Sequence, residues 1–241
     1  MKTFTSSPGV GYHARVLGAR SGGTSEMAQI FHRSTNMIAR TTLFGAVFFA
    51  GVLVWIFMHL DRSAYNTGEG VTINQDVPFS HDHHTAGLGI DCRYCHTSVE
   101  EAAYAGIPPT STCMNCHKLI WNDSPMLEPV RRSWATGDPL EWVRVYDLPD
   151  YAYFDHSIHV AKGVGCASCH GRVDEMPLIY QASSLQMEWC LDCHRTPERF
   201  VRPREEVFNM AWESPNQLEE GLALVAKYAV EPSDNCSACH R

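Results

Sequence analysis

Apolar positions along this chain are concentrated in one place. Thr41 to Leu60 reads TTLFGAVFFAGVLVWIFMHL, 20 residues without Asp, Glu, Lys or Arg, and at 1.5 Å per helical residue it covers about 30 Å of hydrocarbon. The run is apolar on every face, whereas a core helix of a soluble domain keeps a single apolar stripe. The pattern predicts a transmembrane helix over 35–62, capped by Ser34 or Thr35. A cleaved signal peptide has a shorter apolar region, about 7 to 15 residues, and no small-x-small site follows this run. Beyond it the pattern supports only short elements. Ser124-Pro125 ahead of MLEPVRRSW predicts a short capped helix, and WVRVY at 142–146 a short extended piece. Ser214-Pro215 opens a helix whose Leu218, Leu222, Val225 and Tyr228 share a face.

Charge gives the span a direction. Lys2, Arg15, Arg20, Arg33 and Arg40 precede it against the single acid Glu26, so the excess of basic residues places the N-terminus in the cytoplasm. Residues 1–34 then read as a cytoplasmic tail, and everything after Asp61 as exported. From Asp61 to Arg241 there are 14 basic against 26 acidic residues, a net of −12. That balance argues against nucleic acid and favours a basic docking partner.

The 241 residues contain ten cysteines, all in C-x-x-C pairs. Each pair is followed by histidine: Cys92/Cys95-His96, Cys113/Cys116-His117, Cys166/Cys169-His170, Cys190/Cys193-His194 and Cys236/Cys239-His240. Two thioethers fix a porphyrin to one helical turn, and the next histidine then lies under the iron. A zinc ribbon closes four ligands from two pairs and needs no histidine after each. A thioredoxin-like pair needs one motif on a βα unit, and a disulfide framework has no reason to keep the two-residue spacing. The spacing predicts five covalently attached haem c groups, with His96, His117, His170, His194 and His240 as proximal ligands.

Five haems in an exported part of 63–241 leave little polypeptide per cofactor, so the porphyrins must supply much of the apolar core. The fold class expected is a multihaem cytochrome c, mostly irregular, with short α-helices packed around haems and one N-terminal transmembrane helix. An internal repeat runs through it. Phe79, His81 and His84 precede the first motif, then Val99, Glu100, Glu101 and the second motif; Phe154, His156 and His159 precede the third, then Val173, Asp174, Glu175 and the fourth. Two dihaem units are implied, 79–118 and 154–195, followed by a fifth motif.

An iron that only passes electrons is best held by two strong axial ligands. His81, His84, His156 and His159 stand at i and i+3 in a repeated F-x-H-x-x-H, so each pair can serve two haems. The fifth distal ligand must come from elsewhere, with Met187 and Met176 as candidates; Met176 aligns with Ala102 of the first copy. His13, His32, His59 and His83 read as solvated side chains.

The segments FSHDHHTAGLGIDCRYCH, CMNCHK, WVRVYDLPDYAYFDHSIH, GVGCASCHGRVDEM and LQMEWCLDCHR resemble the pentahaem cytochrome c subunit (ActA) of alternative complex III, over Phe79 to about Val207. The resemblance implies a place in a quinol-oxidising respiratory or photosynthetic complex. Its partners there would be an iron-sulfur subunit, quinol-binding membrane subunits, a monohaem cytochrome c, and a periplasmic cytochrome c or copper protein as acceptor. On that reading the chain is an electron-transfer subunit without a catalytic site of its own. Two other functions compete with it. A membrane-anchored quinol dehydrogenase would oxidise quinol itself, using Asp76 or Asp82 near the span, and a terminal reductase would need an iron with an open position. No hydrolytic or phosphate-binding motif is present.

Overall fold

The computed structural model describes residues 30–240, so the tail expected over 1–34, with Lys2, His13, Arg15, Arg20 and Glu26, lies almost wholly outside the described residues. The chain divides into two units, 1–53 and 54–241. The first helix, α1 (Arg33–Asp61), has 29 residues and none is buried. By length and composition it can cross a membrane. Thr41 and Thr42 donate back to the carbonyls of Met37 and Ile38, both at 2.9 Å, so their hydroxyls stay satisfied inside the helix. Its start differs from expectation. Neither Ser34 nor Thr35 caps it, because the helix already begins at Arg33; His32 stands at the cap, and its Nδ1 accepts from Ser34 N–H at 3.3 Å.

The second unit is built from short helices joined by irregular chain, and no strand forms among the described residues, only isolated bridges. After α2 (Ala64–Thr67), a wide π-turn at Asp82–Gly87 leads to α3 (Cys92–Cys95) and α4 (Thr110–His117). A connector helix α5 (Glu128–Thr136) follows, then α6 (His156–Ala161), α7 (Cys166–His170), α8 (Met187–Arg195), α9 (Gln217–Lys227) and α10 (Cys236–Cys239). Each C-x-x-C pair therefore lies on a helical turn. Side chains cap several of these turns: Asp91 accepts from Arg93 N–H at 2.8 Å, Asp155 from Ser157 at 2.9 Å, and Asn235 from Ser237 at 3.1 Å.

Three local expectations change. Ser124 makes no side-chain cap; the chain passes through a 3-10 turn at Pro125–Leu127 before α5. The piece at 142–146 forms no strand, its Val143 instead exchanging two 2.8 Å hydrogen bonds with the Gln75 side chain. On α9 the buried residues are Gly221 and Leu224, with Tyr228 just beyond, while Leu218 and Leu222 are 57% and 55% exposed. Gly221 is the reason: a Cβ there would run into the Glu198 carbonyl, so the bare backbone turns that side of the helix inward.

The side-chain core is small. One cluster joins Val77, Met114 and Val130, another Val201, Leu224 and Tyr228. The two copies of the repeat exchange backbone bonds at corresponding places: Asp82 N–H donates to Met176 O at 3.2 Å, and Ser157 N–H to Ala102 O at 3.3 Å. Asp82 and Ser157 each follow the first histidine of the repeated F-x-H-x-x-H, and Met176 aligns with Ala102. The copies thus face each other in a reciprocal arrangement.

Candidate metal centres

All motif cysteines except Cys236, together with the nine histidines of the motifs and of the repeat, line one cavity of about 2780 Å³. A site for one small molecule spans about 300–1,000 Å³, so this space accommodates several cofactors. None of the ten cysteines forms a disulfide. Burial pushes the thiol of Cys166 up to about 11 and that of Cys169 up to about 12. Such thiols are poor nucleophiles on their own.

The histidines share a way of being held. The Nδ1–H of His96 donates to Gly106 O at 2.7 Å, that of His117 to Ile120 O at 3.0 Å, and that of His194 to Ser233 O at 2.8 Å. Those of His84, His156 and His159 donate to Ser80 O at 2.8 Å, Ala103 O at 2.8 Å and Asp155 O at 2.6 Å. A carbonyl on Nδ1 fixes the tautomer and leaves Nε2 as a lone-pair donor, the arrangement a metal-ligating imidazole adopts. His81 and His170 are brought down to about 4, first by burial. Both rings are therefore neutral at physiological pH, as a metal ligand must be.

The rings also come in pairs. His84 and His117, His156 and His170, and His159 and His194 each have ring centres 6.2 Å apart. A metal–imidazole bond is about 2 Å and a ring nitrogen lies about 1.1 Å from the ring centre, so two imidazoles on opposite sides of one metal sit about 6.2 Å apart. Among the described residues no group of three or more His, Cys, Asp or Glu is placed to hold a metal ion. Two axial imidazoles without equatorial protein donors fit an iron whose plane is filled by a macrocycle, and the adjacent thiol pairs fit its covalent attachment. The ring planes differ, being 10° apart for His156 and His170, but 62° and 53° for the other two pairs.

Phe79 and Phe154 bracket the repeat histidines identically. Phe79 stacks on His84 at 4.4 Å and meets His81 edge-on at 4.8 Å; Phe154 stacks on His159 at 4.6 Å and meets His156 edge-on at 4.7 Å. Of the two methionines, Met187 lines the cavity and is 63% exposed, whereas Met176 is 2% exposed and lies outside the lining. His240 lines the cavity beside Tyr151, ring centres 5.7 Å apart. His83 stacks on Trp121, and His59 packs against Trp55. Sequence reasoning passed over Tyr146, whose ring stands edge-on to His170 at 4.4 Å. The carbonyl acceptors were beyond it too, because a backbone group carries no residue signal.

Comparison with known proteins agrees with this geometry. Residues 152–241 match the family model described as cytochrome c7 and related cytochrome c. A 132-residue stretch is 30% identical to the multihaem cytochrome c subunit of the menaquinone reductase of Nitratidesulfovibrio vulgaris, covering 52% of this chain and 58% of that subunit. The chain thus spans little more than half the length of that relative. It has a cytochrome c7-like multihaem fold of short helices with one N-terminal apolar helix, and its thiol pairs suit covalently bound c-type haem.

Proposed function

We propose that the chain carries five c-type haems, one per motif, and relays electrons between a quinone-linked membrane complex and an extracytoplasmic redox partner. The three histidine pairs at 6.2 Å carry this reading. On this reading His84 serves the haem of the second motif, His156 that of the third and His159 that of the fourth. By the repeat His81 falls to the first, opposite His96. His240 holds the fifth, and the cavity favours Met187 over Met176 as its distal partner.

The bound haem supplies a one-electron iron couple. The histidines would hold each iron as neutral ligands, and six of them are fixed in orientation by a carbonyl on Nδ1, so that little would rearrange on reduction. His81 and His84 sit around one turn yet serve different motifs, as do His156 and His159, so each dihaem unit is tied together by its own backbone. Nothing in this arrangement requires a proton or a substrate pocket, which favours a relay over a terminal reductase.

The partners proposed are those of a quinone-handling complex: an iron-sulfur subunit, quinone-binding membrane subunits, a monohaem cytochrome c and a soluble acceptor or donor. Alternative complex III is the proposed setting, with the N-terminus cytoplasmic and the haem domain outside. The menaquinone reductase relative supports a quinone-linked assembly. Direct quinol oxidation by this chain is the second reading. The mass of the purified polypeptide should exceed that of the chain by five haems, and pyridine should give a c-type haemochrome. A mass carrying fewer haems overturns the count. Reduction of the haems by menaquinol in isolated chain would transfer quinol chemistry to this subunit; reduction only with partner subunits present supports the relay.

A further inference from the structure

The two copies match in sequence order and in ring geometry, yet the hydrogen bonds behind their axial histidines do not match. In the haems of the second and fourth motifs both ligands donate Nδ1–H to a carbonyl: His84 and His117 in one, His159 and His194 in the other. In the first and third only one ligand does, His96 and His156 respectively. His81 Nδ1 is buried without a partner. The His170 ring has no hydrogen bond of this kind and instead meets the edge of Tyr146.

The cause is visible when the repeat overlay is continued without a gap beyond Ala102 and Met176. Ala103, whose carbonyl accepts from His156, then falls on Pro177, which still has a carbonyl, yet that carbonyl does not reach His81, the counterpart of His156, whose Nδ1 is left without an acceptor. Gly106, whose carbonyl accepts from His96, falls on Tyr180. The Tyr180 carbonyl is taken, for the Tyr146 hydroxyl donates to it at 3.3 Å while accepting from Ala182 N–H at 2.9 Å. Tyr146 thus occupies the acceptor that its counterpart in the first copy offers to the proximal histidine.

An Nδ1–H bond to a carbonyl makes an imidazole more basic and so favours the ferric iron; a ligand without it favours the ferrous iron. Burial works in the same direction, since a low dielectric disfavours the added charge of ferric haem. We propose that this broken symmetry orders the haems, those of the first and third motifs lying at higher potential than those of the second and fourth, with Tyr146 as the positioning residue that raises the third. The proposal rests on the axial assignments made above. Its consequence is that electrons entering either dihaem unit collect on the first haem of that unit, where the copies face each other.

The ring planes supply a built-in label. Nearly parallel axial imidazoles give a rhombic low-spin EPR signal and strongly inclined ones a signal with a larger principal g value, so the haem of His156 and His170 is distinguishable from those of the other two pairs. An EPR-monitored redox titration of the full haem-loaded chain in detergent should show the rhombic signal disappearing first as the potential falls. At the potential where that haem is half reduced, the inclined haems should be about tenfold less reduced, about 59 mV for a one-electron couple. Tyr146→Phe keeps the ring on His170 but frees the Tyr180 carbonyl, and should lower the rhombic component while leaving the inclined ones in place. A rhombic signal titrating with or below the others overturns the proposal, as does a Tyr146→Phe chain in which it does not move. If Tyr146→Phe does not accumulate, the order in the unaltered chain still decides. Absence of low-spin bis-histidine signals altogether would instead remove the axial assignments.

Discussion

A single aromatic ring in each copy holds both histidines of the repeated F-x-H-x-x-H. Phe154 lies flat against His159 and edge-on to His156, and Phe79 repeats this on His84 and His81. Ring contacts of this kind are worth about 0.5–1.5 kcal/mol beyond the area they bury, enough to select one ring orientation among several. Phe154→Leu keeps the apolar volume but removes the flat face. The expected result is a shifted principal g value for the haem of His159 and His194 with haem content unchanged; an unmoved EPR signal would show that Phe154 only fills space. The role was half legible in the sequence. The recurrence of F-x-H-x-x-H marked the histidines, but a phenylalanine reads as core until its ring plane is known.

At the scale of the element, the helices that carry the cysteine pairs were legible because attachment demands a turn of helix at each motif, whatever surrounds it. The buried face of α9 was legible only in part: Val225 and Tyr228 pack in a core cluster as their spacing suggested, Leu218 and Leu222 do not, and Gly221 shows why. Spacing of large apolar residues pointed to Leu218 and Leu222, yet the contact is made by the residue with no side chain, with the backbone of α9 lying on the turn at Pro197–Arg199 directly after the fourth motif. Gly221→Ala forces a Cβ toward the Glu198 carbonyl, where backbone rather than a flexible side chain must yield. Overpacking of this kind costs about 1–3 kcal/mol, so the variant should melt at a lower temperature than the parent. Leu222→Ala on the exposed side should change stability by no more than about 0.5 kcal/mol. The reverse order in a thermal melt would restore the face that spacing alone suggested.

At the scale of the whole molecule, the polypeptide has two small apolar clusters and a large cavity into which nearly all of its chemistry points. The number of motifs and their duplication were legible because covalent chemistry fixes residue spacing. Which histidine faces which motif was not, since that depends on how the turn at Asp82–Gly87 and α6 present residues three apart to opposite sides. Charge acts at this scale as well. The part from Asp61 onward carries a net −12 before any haem propionate is added, and ion pairs such as Arg62–Glu188 and Arg172–Asp174 engage only some of its acids among the described residues. An acidic body attracts a basic partner over about a Debye length, near 10 Å at 0.1 M salt, and that attraction speeds encounter more than it tightens the complex. Electron exchange with a basic soluble cytochrome c should therefore slow as ionic strength rises, at unchanged haem potentials, while exchange with an acidic one should quicken as repulsion is screened. Stopped-flow rates against salt for the two probes decide the matter: equal slopes for both would mean that the acidic surface keeps the protein soluble and takes no part in choosing its redox partner.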